Sequence, residues 1–317
     1  MKLVTGGAGF IGSAVVRNLL RRGEDVRVID NLSKGSASNI PPDVEYLEGD
    51  VADPDVCAQG FKDVDVCFHL AAKIGGIGHF HRYPADILDD NNLMLSQVFR
   101  TATQLGTKVV YVSSSMVFER AVDFPTPESA IDRSPPPFSA YGFSKLVGEW
   151  YCRAFHEQFG APFAIARPFN AYGPGELPED EPGLAHVIPD LIRKVLDPER
   201  PISLFGDGRQ TRSFTYVDDV ADAIVTIGTH PAGENEDFNI GTGVETSIRD
   251  LLAIVWRACG QEGEPEVSET PPMPVDVPRR VPDVSKIRKV LGWSASTSLD
   301  EGIGTTVDWY RRRLAET

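Results

Sequence analysis

The sequence predicts an α/β protein built on a doubly wound parallel sheet of the Rossmann type, with a smaller mixed α/β region beside it. Three observations carry this. A glycine-rich turn, Gly6-Gly7-Ala8-Gly9-Phe10-Ile11-Gly12, joins a short apolar run to a helical pattern. Short apolar runs then recur with helix-length connections, as in parallel βαβ units with right-handed crossovers. Finally an acid, Asp30, closes the second run, at the distance from the glycines seen in dinucleotide-binding folds.

Taken in order, Lys2–Thr5 reads as a short buried strand. From Ala8 to Arg22 the apolar positions Phe10, Ile11, Ala14, Val15 and Leu19 repeat at helical spacing, and Gly23 stops the helix. Asp25–Asp30, Val44–Glu48 and Val64–Leu70 continue the strand series. A long helical stretch from about Ile87 to Leu105 leads to a strand at Val109–Ser113. The second half is less regular. Prolines at Pro135–Pro137, Pro174–Pro182 and Pro271–Pro278 mark loops. Between them lie a strand-like Phe163–Arg167, a helix from about Val187 to Leu196 and another from about Ser247 to Ala258.

The chain has 317 residues, with 31 Lys+Arg against 46 Asp+Glu and a net charge of −15. Its 41% hydrophobic and 24% charged content is that of a globular protein, which excludes a disordered chain. The acidic balance, with no run of Lys and Arg, argues against nucleic acid. A small anionic ligand stays possible, because a few arginines and a helix N-terminus can hold a phosphate. No apolar stretch approaches the ~20 residues that span a bilayer. Lys2-Leu3-Val4 is too short for a signal peptide, so a cytoplasmic location is expected. Cys57, Cys67, Cys152 and Cys259 show no C-x-x-C spacing, so no metal site or disulfide framework is expected.

Gly6, Gly9 and Gly12 fit G-x-x-G-x-x-G, and Gly7, Gly9 and Gly12 fit G-x-G-x-x-G. Such glycines let a pyrophosphate approach the backbone at a helix N-terminus. Alone the pattern is also that of a tight strand–helix turn. Asp30 adds an acceptor for an adenosine ribose and repels a 2′-phosphate, so NAD is expected over NADP. Asp50-Val51 either faces the adenine or is a solvated loop. Residues 1–168 are therefore expected to form an NAD-binding domain, with strands or helices returning from about 204–245. Residues 169–317 are expected to be mainly a substrate-binding region, interleaved with it.

Tyr141-Gly-Phe-Ser-Lys145 is a Y-x-x-x-K that puts both side chains on one helix face. An ammonium beside a phenol lowers the phenol pKa and readies it for proton transfer. Ser113-Ser114-Ser115, at the end of a sheet strand, offers hydroxyls to a substrate oxygen.

The sequence at this point resembles the extended short-chain dehydrogenase/reductases, in particular the nucleotide-sugar epimerases, dehydratases and reductases. The likeness runs through TGGAGFIG, Asp30, Asp50-Val51, His69-Leu-Ala-Ala72, Asn91-Asn92, SSSMVF, YGFSK and Arg167-Pro-Phe-Asn170. It continues through Gly206-Asp-Gly-Arg-Gln-Thr-Arg212 to Asp219, Arg279-Arg280-Val-Pro-Asp283 and Leu291-Gly-Trp293. The resemblance implies Tyr141 as general acid/base, Lys145 as its ribose-binding partner and Ser114 as the catalytic serine. It implies cofactor contacts at Gly6, Gly9, Phe10, Ile11, Gly12, Asp30, Asn31, Ser33, Asp50, Val51, Leu70, Ala71, Ala72, Lys73 and Pro168. Asn92, or else Asn91, matches the family's helix asparagine near the cofactor. Substrate contacts are implied at Gly75, Ser115, Met116, Asn170, His186, Val187 and Arg212, and at one of Arg279 and Arg280.

Met116 stands where the family's dehydratases and decarboxylases place a glutamate, and a thioether moves no protons. His69-to-Gly78 and His186-Val-Ile-Pro189 resemble GDP-fucose synthases and GDP-mannose 3,5-epimerases, and the Gly75–Gly78 part of that resemblance leans the base toward guanosine over uridine. Those relatives carry a cysteine at the Met116 position. His186 is thus either a retained acid or a cap of the following helix, and His79 and His81 read as loop residues. The chemistry left is epimerisation at C4 of a GDP- or UDP-sugar through a keto intermediate. The alternatives are a GDP-4-keto-6-deoxy-sugar epimerase/reductase, a 3,5-epimerase and, outside enzymes, a non-catalytic dinucleotide-binding protein. A homodimer is expected through Phe99, Leu105, Phe143, Leu146, Trp150 and Phe155.

Overall fold

The computed structural model describes residues 1–74, 82–176, 186–197, 201–271 and 277–316. Gly75, His79 and His81 lie outside the described residues. The chain runs β1 (Lys2–Thr5), α1 (Phe10–Arg21), β2 (Val26–Asp30), β3 (Glu45–Glu48), α2 (Pro54–Gly60) and β4 (Val66–His69). It continues with α3 (Pro84–Leu105), β5 (Lys108–Val112), α4 (Ala140–Phe159), β6 (Phe163–Pro168) and β7 (Ala171–Tyr172). Next come α5 (Val187–Leu196), β8 (Ile202–Phe205), β9 (Thr211–Arg212), β10 (Thr215–Tyr216), α6 (Val217–Thr229) and β11 (Asp237–Ile240). Last are β12 (Thr246–Ser247), α7 (Ile248–Ala258), β13 (Val267–Thr270), β14 (Arg279–Arg280), α8 (Ser285–Leu291) and α9 (Leu299–Glu316).

The main sheet is parallel, in the order β11-β6-β5-β4-β1-β2-β3. Strand order reverses between β1 and β4, and a ligand crevice opens at the carboxyl ends of strands flanking such a switch point. Alternate strand residues feed two different cores. Val4, Val28, Phe68, Val110 and Ala164 pack with α1 and α6 on one face. Leu3, Ile29, Cys67, Val109 and Ile165 pack with α2, α3 and α4 on the other. The period-two side-chain alternation of a strand is thus apolar at both phases, as a sheet covered on both sides requires. α1 begins at Phe10, later than the helical pattern in the sequence, because the Ala8 N–H donates to the Asp30 carboxylate at 2.9 Å instead of entering the turn.

A third core, from α5, α7, α9 and β8, holds the substrate region together around Leu191, Leu252, Val255 and Ile303. Three small sheets lie outside the main one, the first pairing β7 parallel with β10. β9 pairs antiparallel with β12 and parallel with β14, and β8 pairs parallel with β13.

α3 and α4 lie against each other, with the Phe99 ring tilted against those of Tyr151 and Phe155. Phe99 is therefore core, 2% exposed, and not part of an outer apolar face. Leu93, Leu105, Phe143, Trp150 and Phe159 on the same two helices are exposed. All four cysteines are buried and free. Among the described residues no helix is long and apolar enough to cross a membrane.

Candidate active site

The glycine turn between β1 and α1 is dictated by crowding. Gly6 has a φ of +74°, and a Cβ on Gly12 would sit 2.0 Å from the Gly6 carbonyl oxygen. The chain folds back on itself so tightly that no side chain fits between the turn and the helix. α1 opens with Gly9 as N-cap, no side-chain cap and no acidic residue in its first turn. Its leading N–H groups and positive dipole end thus face the crevice, a setting suited to a pyrophosphate.

Asp30 ends β2 and is buried. Its Oδ2 accepts from Ala8 N–H at 2.9 Å and its Oδ1 from Leu32 N–H at 2.8 Å. Two backbone donors fix the carboxylate at the strand end, where its remaining lone pairs can accept from ribose hydroxyls. Beyond it, Asn31 donates from Nδ2 to Asp50 at 3.1 Å and accepts from Ser33 N–H at 3.0 Å, tying this loop to the end of β3. The Val51 side chain is 3% exposed and belongs to the core that holds Cys57 and Phe61, which leaves its backbone as the part that could meet an adenine. Leu70, Ala71, Ala72 and Lys73 follow β4 at the switch point and are half-buried. The residues present therefore fit NAD: a glycine cradle, an uncapped helix end and a ribose acceptor.

Lys73 also settles which asparagine faces the site. The Lys73 N–H donates to Asn91 Oδ1 at 2.7 Å, and Asn91 Nδ2 donates to the Lys73 carbonyl and to Ser144 Oγ. Asn91 lines a small cavity with His69, Tyr111, Ser144 and Lys145. Asn92 does not. On α3 the buried positions Ile87, Asn91, Leu95 and Val98 share one face, and Asn92 lies about 100° further round. Of the two asparagines that the resemblance left open, Asn91 is the one that lines this cavity, and the helical phase of the neighbouring apolar residues is the signal that separates them.

The catalytic set comes from two elements that meet. A 3₁₀ turn at Ser115–Phe118 follows β5 and is capped by Ser114, whose Oγ accepts from Met116 N–H at 3.2 Å. α4 carries Tyr141 and Lys145 on its buried face. Ser114 is near enough to the Tyr141 phenol to lower its pKa. Lys145 Nζ donates to the Val112 carbonyl at 2.9 Å and stands 5.8 Å from the Tyr141 ring centre. The sequence spacing predicts a phenol with a lowered pKa, and the protein alone gives the opposite. Burial pushes Tyr141 up to about 12, opposed only by Ser114. Burial brings Lys145 down to about 8, opposed by the charge of Glu149. Desolvation outweighs the pair interaction because the ammonium is turned to a carbonyl.

Met116 is half-buried and packs against Tyr141, while Ser115 is buried in the turn. Pro168 closes β6, and Asn170, at φ 40°, donates to the Ser213 carbonyl at 2.9 Å. His186 caps α5 by position only. Its side chain makes no cap bond, and its Nδ1 pairs instead with Glu176. Val187 opens that helix and is half-buried.

The pairing of β14 with β9 separates the two terminal arginines. Arg280 is the register partner of Arg212, and Arg279 that of Thr211. Paired residues share a sheet face while sequence neighbours alternate. Arg279 accordingly lies with Thr211 and forms a forked pair with Glu245, at 2.8 and 2.7 Å. Arg212 and Arg280 lie side by side on the other face, and Arg212 donates to the Val277 carbonyl at 2.6 Å.

A Rossmann sheet with a serine, a tyrosine and a lysine assembled beside a dinucleotide crevice defines a short-chain dehydrogenase/reductase-type enzyme. The comparisons narrow this. Residues 2–241 match the model of the NAD dependent epimerase/dehydratase family. The chain is 37% identical to a putative UDP-glucose 4-epimerase of Methanocaldococcus jannaschii and 36% identical to UDP-glucose 4-epimerase of Mycolicibacterium smegmatis, over 98% of both chains in each case. It superposes on UDP-glucose 4-epimerase of Thermotoga maritima, solved with UDP-glucose, with a TM-score of 0.89, 34% identity and 99% of each chain covered. The chain belongs to the NAD-dependent epimerase/dehydratase family and is an NAD-dependent nucleotide-sugar epimerase of the extended short-chain dehydrogenase/reductase type.

Proposed function

We infer that this chain interconverts UDP-hexoses at C4. The observation that carries the reading is the packing of Met116 against Tyr141. The position that holds a proton-moving carboxylate in dehydratases and decarboxylases is apolar here, which leaves Tyr141 to move the proton. Tyr141, polarised by Ser114, takes the proton of the sugar hydroxyl as the carbon–hydrogen bond breaks, and returns it when that bond reforms on the opposite face. NAD, when bound, supplies the acceptor that takes that hydrogen with its electron pair and gives it back, so no net redox change occurs. Lys145 holds the ribose, and the Arg212–Arg280 face offers charge-assisted bonds to the diphosphate.

Uridine is the base because the related 4-epimerases whose names specify one carry UDP. The likeness that leaned toward guanosine falls on residues 75–78, outside the described residues. The exposed Leu93, Phe143 and Trp150 of α3 and α4 form the face through which a homodimer would associate, and four buried free thiols fit a reducing cytoplasm.

The test is purified enzyme with UDP-glucose in deuterated water, no cofactor added, followed by proton NMR. UDP-galactose free of solvent deuterium is expected. Deuterium at C3 or C5 would overturn the reading in favour of an enolising epimerase using His186, and turnover of GDP-hexoses alone would overturn the choice of base.

A further inference from the structure

Tyr141 is only one residue into α4, so its position depends on how the first turn of that helix is held. Ser139 is the N-cap, and its Oγ accepts from the Gly142 N–H at 2.9 Å. Ser139 is itself held by Glu119. The Glu119 carboxylate accepts from the Ser139 N–H at 2.9 Å with one oxygen and from the Ser139 hydroxyl at 2.5 Å with the other. Glu119 is 9% exposed and stands at the C-terminal end of the same 3₁₀ turn whose N-terminal end is capped by Ser114.

The turn and the helix are thus joined at two points. At one end Ser114 comes near the Tyr141 phenol, and at the other Glu119 grips the helix cap. Between them the two backbones are nearly in contact. A Cβ on Gly142 would lie 2.8 Å from the Met116 carbonyl oxygen and 2.8 Å from the Pro137 Cβ. A buried carboxylate with both oxygens occupied by one capping serine fixes the rotation of that serine, because the hydroxyl must donate to Glu119 while accepting from Gly142.

We propose that Glu119 is a positioning residue for the catalytic tyrosine, acting through Ser139 to hold the start of α4, and with it the Tyr141 phenol, against the turn that carries Ser114. The proposal rests on Tyr141 being the acid/base of the epimerase reading. Loss of the Glu119 carboxylate frees Ser139, the first turn of α4 loosens, and the phenol moves away from Ser114. Ser114 is what lowers the phenol pKa, so proton transfer is impaired while the sugar-nucleotide and dinucleotide contacts stay in place.

The experiment compares wild type, Glu119→Gln, Glu119→Ala, Ser139→Ala and Glu119→Gln/Ser139→Ala as NAD-loaded enzyme with UDP-glucose. Glu119→Ala should lower kcat by about 10- to 100-fold, within the range expected of impaired acid–base catalysis, with KM and bound NAD within about twofold of wild type. The alkaline limb of its kcat profile should move to higher pH. Glu119→Gln, which keeps one acceptor for Ser139, should recover part of the loss. The double variant should be no worse than Ser139→Ala alone, since both act through one contact. Additive losses, or a pH profile that does not move, would overturn the proposal even if kcat falls. A second readout needs no turnover. In protein labelled at tyrosine Cζ, the Tyr141 resonance, assigned by its loss in Tyr141→Phe, should shift in Glu119→Ala at neutral pH. If wild type turns over no sugar nucleotide, the epimerase reading fails and this resonance still decides the clamp: an unshifted signal overturns it.

Discussion

Glu149 stands one turn beyond Lys145 on α4, and both of its carboxylate oxygens are bonded by Arg167 of β6, from Nε at 2.7 Å and from Nη2 at 2.6 Å. Ser113, beside Ser114, donates to the same carboxylate at 2.6 Å. Arg167 also reaches Asp237 of β11 at 2.7 Å; burial alone would raise the Asp237 carboxyl, and the charges and hydrogen bonds of Arg167 and Lys286 bring it instead down to about 2. Three parallel strands and the helix of the acid/base are thereby locked in one axial position.

Breaking this lock on one side should be costly. Arg167→Met leaves Glu149 buried without its bonded counter-charge, and breaking such a pair on one side typically costs about 3–5 kcal/mol. Adding Glu149→Gln to Arg167→Met should restore a good part of the loss. Urea unfolding of the two single variants and the double variant measures it, and a double variant as unstable as the sum of the singles would contradict the account.

His69 should make the fold acid-sensitive in a definite window. Burial, then the charge of Lys145, brings its imidazole from 6.5 down to about 3. The unfolded chain therefore takes up this proton near pH 6.5 and the folded one only near pH 3, so stability falls as pH drops through that interval. His69→Gln should flatten the dependence of Tm on pH between those limits relative to wild type. A difference between the two proteins that stays constant with pH would count against it.

Tyr141→Phe should lower kcat by about 10³-fold with bound NAD retained, since general acid–base catalysis contributes ~10²–10⁴-fold. Ser114→Ala removes the one interaction that pulls the phenol pKa down, so its rate should fall and the alkaline limb of its profile should move up. Steady-state rates across a pH series check both.

Gly12→Ala should abolish NAD retention. The added methyl has nowhere to go but into the Gly6 carbonyl, and parting turn from helix opens the cradle. The dinucleotide released on heating, set against protein concentration, is the measurement. A stoichiometric complement in the variant would refute the cradle.

The three arginines should rank by face. Arg212→Ala and Arg280→Ala each remove a charge-assisted bond worth about 1.5–3 kcal/mol, so KM for UDP-glucose should rise by roughly tenfold or more. Arg279→Ala should change it less, because that side chain is committed to Glu245. An equal effect at all three positions would show that the register of β14 does not sort them.

What could be read in the sequence was what is local. The glycine turn, Asp30 and the Tyr141–Lys145 spacing each rest on contacts within one turn or one βα unit, and α5 falls where its pattern placed it. What stayed open has a common source in three dimensions. Asn91 and Asn92 are the same residue type side by side, and only the phase of α3 against the sheet decides between them. Val51 is apolar at a strand end, and whether it faces crevice or core depends on Cys57 and Phe61 beneath it. Arg279 and Arg280 are separated only by the pairing of β14 with a strand some seventy residues earlier. Glu119 looks like a solvated loop acid because its partner, Ser139, is twenty residues away. The predicted fall in the Tyr141 pKa missed the depth of burial, which spacing does not encode.

The order of the sheet bears on how the chain is born. β6 is completed at Pro168, but the strand that covers its outer side, β11, begins only at Asp237, and α6, which covers α1, ends at Thr229. A ribosome emitting about 5–20 residues per second leaves that strand flank bare for several seconds while the sugar-nucleotide half is still being made. Polypeptide emerging from neighbouring ribosomes meets an open row of backbone donors and acceptors during that interval. Slowing translation downstream of codon 168 should therefore lower the soluble yield, without any change in the finished protein.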